Sequence, residues 1–337
     1  HKFLHFSYFV GVDISKNTLD AAIYPAKDKK MDFLHFENST KGLCTMLTWL
    51  KQRGIKVSEM VVCAEHTGVY TNPLIAFAHK KGIALSLNSP LDIKRSMGIA
   101  RGKNDAVDAA RIADYAHSRK DKLRLYEMPS DTVMKLQYLL TERRQYMRQR
   151  TALLNLHSAM SQYETTNARN RHESAITHIE RLVKKVEEQM IAIISDDIEV
   201  KRNYDLVSSV KGIGLINAIN TIVYTNNFTL FKNARKYACY IGIAPFEYTS
   251  GTSVRGKTRV SKAGAKNLKS DLSMAARCAI TYDNEIKEYY QRKRNEGKVF
   301  GVVLNAVKFK LVERMFAVVR RGTPFVDVYK YKSQTAC

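Results

Sequence analysis

Apolar and polar residues change places along this chain with different periods, and the periods divide it. Tyr8–Asp13 and Leu19–Tyr24 are short apolar runs separated by a turn over Ile14–Thr18. Asp32–Glu37 carries aromatic residues at alternate positions, the period of a strand. Ser39 or Thr40 can cap a helix running to about Arg53, which stops at Gly54. Met60–Ala64 is apolar throughout and predicts a buried strand. A helix over Tyr70–Lys81 ends at Gly82, and Ile83–Asn88 is a fifth strand, closed by Pro90. Asn104–Arg119 reads as a further helix.

The order βββαβαβα over residues 1–128 is that of a ribonuclease H-like fold, a hairpin-led mixed sheet with helices on both faces. From about Thr132 to Asp197 the texture changes, because glycine and proline disappear. Leu136, Leu139, Leu140, Met147, Leu153, Leu154 and Leu156 recur at helical spacing, then Ile176, Ile179, Leu182, Val183, Val186 and Met190. Thr165–Arg171 reads as the break between them. Residues 129–200 therefore predict two long helices with a narrow apolar seam, a coiled-coil stalk, against the alternative of an ordinary helical bundle. Residues 201–337 predict a third, mostly helical domain. It opens with Leu206–Val210, the turn Lys211-Gly212-Ile213-Gly214 and Leu215–Val223, a helix-hairpin-helix pattern. Lys211 and the backbone at Gly212 and Gly214 can grip a phosphate there, although such glycines also serve as plain helix caps.

Charge narrows the class of partner. The 55 lysines and arginines against 32 acidic residues give +23 over 337 residues, spread along the chain rather than gathered in a tail. Such a surplus is drawn to nucleic acid, since each neutralised phosphate releases condensed counterions. A ribosomal or generic basic protein would share this charge, but not the placement of acids described next. The five cysteines, Cys44, Cys63, Cys239, Cys278 and Cys337, show no zinc-ligand spacing, and their odd number argues against a disulfide framework. No apolar run is long enough to cross a bilayer. The first ten residues lead straight into a strand pattern, and His1 in place of Met suggests a trimmed start. A cytoplasmic, nucleoid-associated protein is expected.

Four acids occupy positions suited to chemistry. Asp13 ends the run Val10-Gly11-Val12-Asp13, and Glu65 follows the strand Met60–Ala64. Asp105 and Asp108 are three apart and so share a helix face. Carboxylates gathered this way repel one another unless a cation lies between them. Mg²⁺, with Mn²⁺ as a substitute, takes such oxygen ligands and suits phosphate substrates. Each acid also has a plainer reading. Asp105 can answer the helix dipole, Asp108 can pair with Arg111, and Glu65 can be a solvated loop residue.

Residues 248–264 intersperse glycines with hydroxyls and cations: Ser250, Ser253, Arg255, Lys257, Arg259 and Lys262. A serine between Gly251 and Arg255 can be an exposed nucleophile whose developing charge is offset by cations. Spacing alone favours a loop that grips phosphate without covalent chemistry.

Three motif groups in the first half carry a wider resemblance: Gly11-Val12-Asp13-Ile14-Ser15-Lys16, Ala64-Glu65-His66-Thr67-Gly68-Val69-Tyr70, and Lys103 to Ala109. It continues in Val210–Gly214, Ile241–Pro245 and Ser250–Lys257. Over nearly its whole length the chain resembles the DEDD insertion-sequence transposases, described as bridge-RNA-guided recombinases and related to DEDD-type DNA invertases. The resemblance implies a domain like that of Holliday-junction resolvases and Asp13, Glu65, Asp105 and Asp108 as metal ligands. It also implies a serine that attacks DNA and leaves a phosphoserine link. By motif that serine falls on Ser250, with Ser253 as fallback; Thr252 stands where relatives often have serine. Further implications are double-stranded DNA as donor and target, a guide RNA encoded outside the chain, and a homodimer or homotetramer. In such an oligomer the acids of one subunit can meet the serine of another. Two other readings compete: a metal-dependent junction resolvase or nuclease using water, and a nucleic-acid-binding protein without catalysis.

Overall fold

The computed structural model describes residues 6–24, 32–66, 68–96, 105–160, 162–163, 165–250, 254–260 and 264–327. At Asp105 and at residues 247–250 and 254–259 it describes the backbone path. The chain divides into two compact units, His1–Met128 and Pro129–Cys337.

The first unit is built on five strands: β1 (Tyr8–Ile14), β2 (Thr18–Tyr24), β3 (Phe33–Glu37), β4 (Met60–Glu65) and β5 (Ala84–Asn88). Their order is β3-β2-β1-β4-β5, with β1–β2–β3 antiparallel and β1, β4 and β5 parallel. This is the expected ribonuclease H-like arrangement. Its helices are α1 (Thr40–Gln52), α2 (Asn72–Lys81), α3 (Pro90–Ser96) and α4 (Asp105–Ser118). Ser39 caps α1, accepting a bond from the Gly42 N–H. Side chains alternate across a strand, so the sheet has two apolar faces. Val10, Val12, Ile14, Leu19, Ala21, Val62 and Ala64 join residues of α1 and α2 in one core. Phe9, Val61 and Cys63 point the other way, onto Ile93, Ile112 and Ala116 of α3 and α4.

In the second unit α5 (Asp131–Met160) and α6 (Thr166–Ser195) run alongside each other in opposite directions, joined by the ion pairs Arg143–Glu187 and Arg150–Glu180. The break falls before the expected Thr165–Arg171, because the Thr165 hydroxyl accepts from the Ala168 N–H and starts the next helix at once. Val133, Leu136, Leu139, Leu140, Val186, Met190 and Ile194 close the base of this pair against α7 (Ile198–Ser208) and α8 (Leu215–Tyr224). Farther along, Leu154, Leu156, Met160 and Tyr163 are exposed. A second core joins α7, α8, α9 (Ala234–Ile241), α10 (Lys266–Tyr282), α11 (Asn284–Asn295) and α12 (Phe300–Arg321).

One element departs from the sequence expectation. The glycine- and cation-rich segment, expected as a loop, is a two-stranded hairpin, β6 (Pro245–Ser250) and β7 (Val254–Val260). Phe246, Tyr248, Thr249, Val254, Thr258 and Val260 supply the β-branched and aromatic residues that favour strands, and a Gly-containing stretch divides the two runs. Among the described residues no helix is long and apolar enough to cross a membrane.

Candidate metal and strand-transfer sites

Strand register gathers the acids of the first unit. Val12 pairs with Ala64 across the parallel strands, so Asp13 and Glu65 lie one step farther along, at neighbouring strand ends. Both have the parity of Phe9, Val61 and Cys63, which places them on the sheet face that α4 covers. Gly11 is what allows α4 to lie there. A Cβ at this position would come within 2.1 Å of the Ala109 carbonyl and 2.3 Å of the Ala113 nitrogen, both backbone atoms. The absent side chain therefore brings the helix onto β1, and Asp108, the neighbour of Ala109, comes with it. Asp105 is the first residue of α4, three before Asp108.

Glu65 registers the result electrostatically. Its carboxyl is held above the ordinary carboxylate range by burial first, then by the charges of Asp13 and Asp108. Three hard oxygen donors that repel one another suit a divalent cation, which would relieve the repulsion. Among the described side chains, no three carboxylate, imidazole or thiol groups already close around a common point. Asp108 has a protein partner, the Arg111 guanidinium at 2.8 Å, so the plainer pairing weighed for it is present.

Sequence reading passed over a fifth acid. Asp20 stands opposite Asp13 across β1 and β2, which puts the two on one face of the sheet. It is 7% exposed and bonded to His35 Nδ1 at 2.8 Å on the adjoining β3. An acid at an apolar-facing position of a strand, two residues past Thr18, was the available signal.

In the second unit the residues proposed for nucleic acid separate into two groups. Gly212, at φ +91°, occupies the left-handed region, and a Cβ there would meet the Ala275 carbonyl and Ala279 Cβ, each at 2.8 Å. This turn glycine is thus a packing point against α10 as well as a bend. Lys211 is ion-paired with Asp327. Gly214 is the N-cap of α8, with open space around it. Ser250 ends β6 opposite Val254, and Arg255 stands opposite Thr249. Lys257 and Arg259 lie farther down β7, Arg259 opposite Phe246. Ser253 and Lys262 lie outside the described residues.

The hairpin root is fixed by backbone contacts. A Cβ at Gly264 would meet the Ile241 carbonyl at 2.4 Å and Gly242 at 2.6 Å, so the chain leaving β7 passes directly against the chain entering β6. Lys269 of α10 donates to the Gly242 carbonyl at 3.1 Å, and Asn305 of α12 donates to that of Ile243 at 2.6 Å.

Both units match profiles of one family. A profile of the DEDD IS110 type, described as "Transposase", matches residues 10–164. A second, described as "Transposase IS116/IS110/IS902 family", matches residues 204–291. The chain belongs to the IS110 transposase family. It is 26% identical over 322 residues to the pilin gene-inverting protein of Moraxella bovis, covering 94% of this chain and 97% of that protein. The Moraxella lacunata protein of the same name matches to the same extent. An insertion element IS110 protein of Streptomyces coelicolor is 27% identical over 150 residues, 44% of this chain and 36% of its own. Among solved structures, Thermus thermophilus RuvC in complex with a Holliday junction substrate matches at TM-score 0.27 and 11% identity, over 35% of this chain and 99% of that one. Membership of this transposase and DNA-invertase family makes the protein a recombinase with DNA as substrate.

Proposed function

We propose that this transposase holds Mg²⁺, or Mn²⁺ in its place, on Asp13, Glu65, Asp105 and Asp108, and attacks DNA with Ser250. The observation that carries the metal half is the placement of Asp13, Glu65 and Asp108 on one sheet face, where burial first and then the charges of Asp13 and Asp108 raise the Glu65 carboxyl. Bound there, a divalent ion would draw charge from phosphate oxygens. The serine half rests on the family motif and on the position of Ser250 at the end of β6. In the step proposed, the Ser250 Oγ–phosphorus bond forms as a phosphorus–sugar oxygen bond breaks. The hydroxyl proton leaves, and the departing sugar oxygen takes one up. Arg255, Lys257, Arg259 and Lys262 would offset charge growing on the phosphoryl oxygens, while Lys211, Gly212 and Gly214 would seat the flanking backbone.

The three-part organisation, 1–128 for the metal, 129–200 as a coiled-coil stalk and 201–337 for strand transfer, belongs to the same proposal. So do a homodimer or homotetramer, a guide (bridge) RNA and a cytoplasmic, nucleoid-associated location. Exposed Leu154, Leu156, Met160 and Tyr163 support self-association through the far end of the α5–α6 pair. DNA inversion is the competing outcome of the same chemistry, favoured by near end-to-end similarity to two gene-inverting proteins.

The test incubates labelled DNA with protein and Mg²⁺, then resolves products on a denaturing gel. A covalent adduct whose peptide maps to Ser250 is expected, and a chelator should prevent it. An adduct on Ser253 would move the nucleophile by three residues. Strand cleavage by Ser250→Ala, with no adduct in the wild type, would indicate a water-using resolvase. RNA co-purified from the host and sequenced decides the guide, and light scattering the oligomer.

A further inference from the structure

Several partly buried arginines of the second unit are answered by acids or amides, whereas Lys308, the one buried cation among the described residues, is not. Arg143 bonds Glu187, and Arg144 bonds Asn220 Oδ1 at 2.7 Å, which in turn donates to Asp271. Arg314 bonds Asp283 and Glu285. Lys308 has no such partner. It lies on α12 between Val307 and Leu311, at a position where helical period calls for an apolar residue, and is 5% exposed. Among the described residues no acid pairs with it. Among the described residues, the charged groups that act on it are Lys269 and Arg277, both cations on α10. Neither of these is paired with an acid among the described residues. Lys269 bonds the Gly242 carbonyl, and Arg277 lies 6.0 Å from the Phe300 ring.

Lys269, Ser273 and Arg277 are four apart on α10 and form one stripe along its surface. Lys308 follows Asn305 by three on α12, and Asn305 holds the Ile243 carbonyl. Lys269 and Lys308 therefore lie near the place where the β6–β7 hairpin joins the helices, with Arg277 two turns farther along α10. Two further cations beside one partly desolvated ammonium are costly in the free protein, and burial first, then these neighbours, pushes the Lys308 ammonium down to about 8. An arrangement of like charges that costs the free fold is one that an arriving anion would relieve.

We propose that Lys308, Lys269 and Arg277 seat one backbone phosphate of the DNA substrate beside the root of the Ser250 hairpin. The inference rests on DNA being the substrate and names the residues that position it. The phosphate supplies the missing negative charge, and its seat on α10 and α12 would fix the strand relative to a hairpin rooted on the same two helices.

The experiment measures duplex affinity of the full-length protein against salt, with thermal unfolding of the free protein in parallel. Lys308→Met keeps the apolar stem and removes the charge. Arg277→Gln removes the charge of an exposed residue. Each should lower affinity roughly tenfold at about 0.1 M salt and reduce the slope of log affinity against log salt by about 1, the signature of one lost phosphate contact. Lys308→Met should at the same time unfold at a higher temperature than wild type, since it removes a repelled buried cation. A lysine needed only for folding would show the opposite, lower stability together with weaker binding, and that result overturns the proposal. Lys184→Met, a surface lysine four residues from Glu188, should change neither slope nor stability. If wild type binds duplex with a steep slope and both variants match it, the phosphate seat is wrong while the recombinase reading stands. If wild type shows no salt-dependent DNA binding, both fail. A loss seen on RNA of the same sequence but not on DNA would also overturn the assignment.

Discussion

The two units gather like charges in opposite ways. On the first, the strand ends bearing Asp13 and Glu65 and the helix start bearing Asp108 converge on one sheet face, near enough for the charges of Asp13 and Asp108 to act on Glu65. On the second, Lys269, Arg277 and Lys308 meet because two helices far apart in sequence pack side by side. The acidic cluster follows from local patterns: period-two alternation chooses the face, parallel register aligns Asp13 with Glu65, and Gly11 admits the helix. The cationic cluster follows from tertiary packing, which no spacing rule encodes. Each is a place where the free fold bears repulsion, which is what binding an opposite charge requires.

The largest effects should separate the two clusters by kind of failure. Asp13→Asn and Glu65→Gln are expected to reduce strand cleavage by about a thousandfold or more while leaving thermal unfolding and DNA affinity near wild type. Ser250→Ala should match that loss and also abolish the covalent adduct. Cleavage assays with adduct detection and melting curves decide it. A Glu65→Gln variant with wild-type activity would remove Glu65 from the site.

Next in size is the packing that makes the acidic face possible. Gly11→Ala forces a Cβ into the Ala109 carbonyl, a backbone atom that cannot rotate away. A loss of about 3 kcal/mol or more in the first unit is expected, with activity lost too. Gly301→Ala on α12 has open space and should be neutral or stabilising by about 0.5 kcal/mol. Denaturant unfolding of the two variants would sharpen the contrast, and equal effects would break it. In the second unit, Arg144→Met leaves the Asn220 and Asp271 side chains without their cation and should cost about 1–3 kcal/mol by the same measurement.

What the sequence disclosed and what it concealed follows the same division. Strands β1, β2, β4 and β5 were legible because their apolar runs are bounded by turns and glycines, and the helix cap at Ser39 was legible from its hydroxyl. The ribonuclease H-like order came from counting those runs. Asp20 escaped because a single acid inside an apolar strand carries no periodic signal. Only its register partner, Asp13, gives it meaning. The β6–β7 hairpin escaped because glycines and cations masked its β-branched residues. Lys211, expected at a phosphate, is ion-paired with Asp327, more than a hundred residues away in the chain, a pairing no local pattern reveals. Lys308 was hidden in an apolar stripe, legible as an anomaly only once α12 was seen to pack against α10.

The smallest expected effect tests the cost of that anomaly directly. An ordinary lysine titrates near 10.5, and Lys308 in the fold near 8. Between these values the unfolded chain holds a proton at this position that the folded protein has released. Stability must therefore rise with pH across that window, because the unfolded state binds more protons there. Below about pH 8 the group is charged in both states and contributes its full penalty, and above about pH 10.5 it is neutral in both. The rise attributable to this group is at most a few kcal/mol. Other lysines and tyrosines titrate in the same range, so the measurement is a difference. Denaturant unfolding of wild type and Lys308→Met from pH 7 to 10.5 should show the variant more stable at pH 7, with the gap narrowing as pH rises. Bound DNA should reverse the order at pH 7, since the phosphate stabilises the charged ammonium that the variant lacks. A gap that stays constant with pH would mean that Lys308 keeps an ordinary ammonium, answered by charge within the fold.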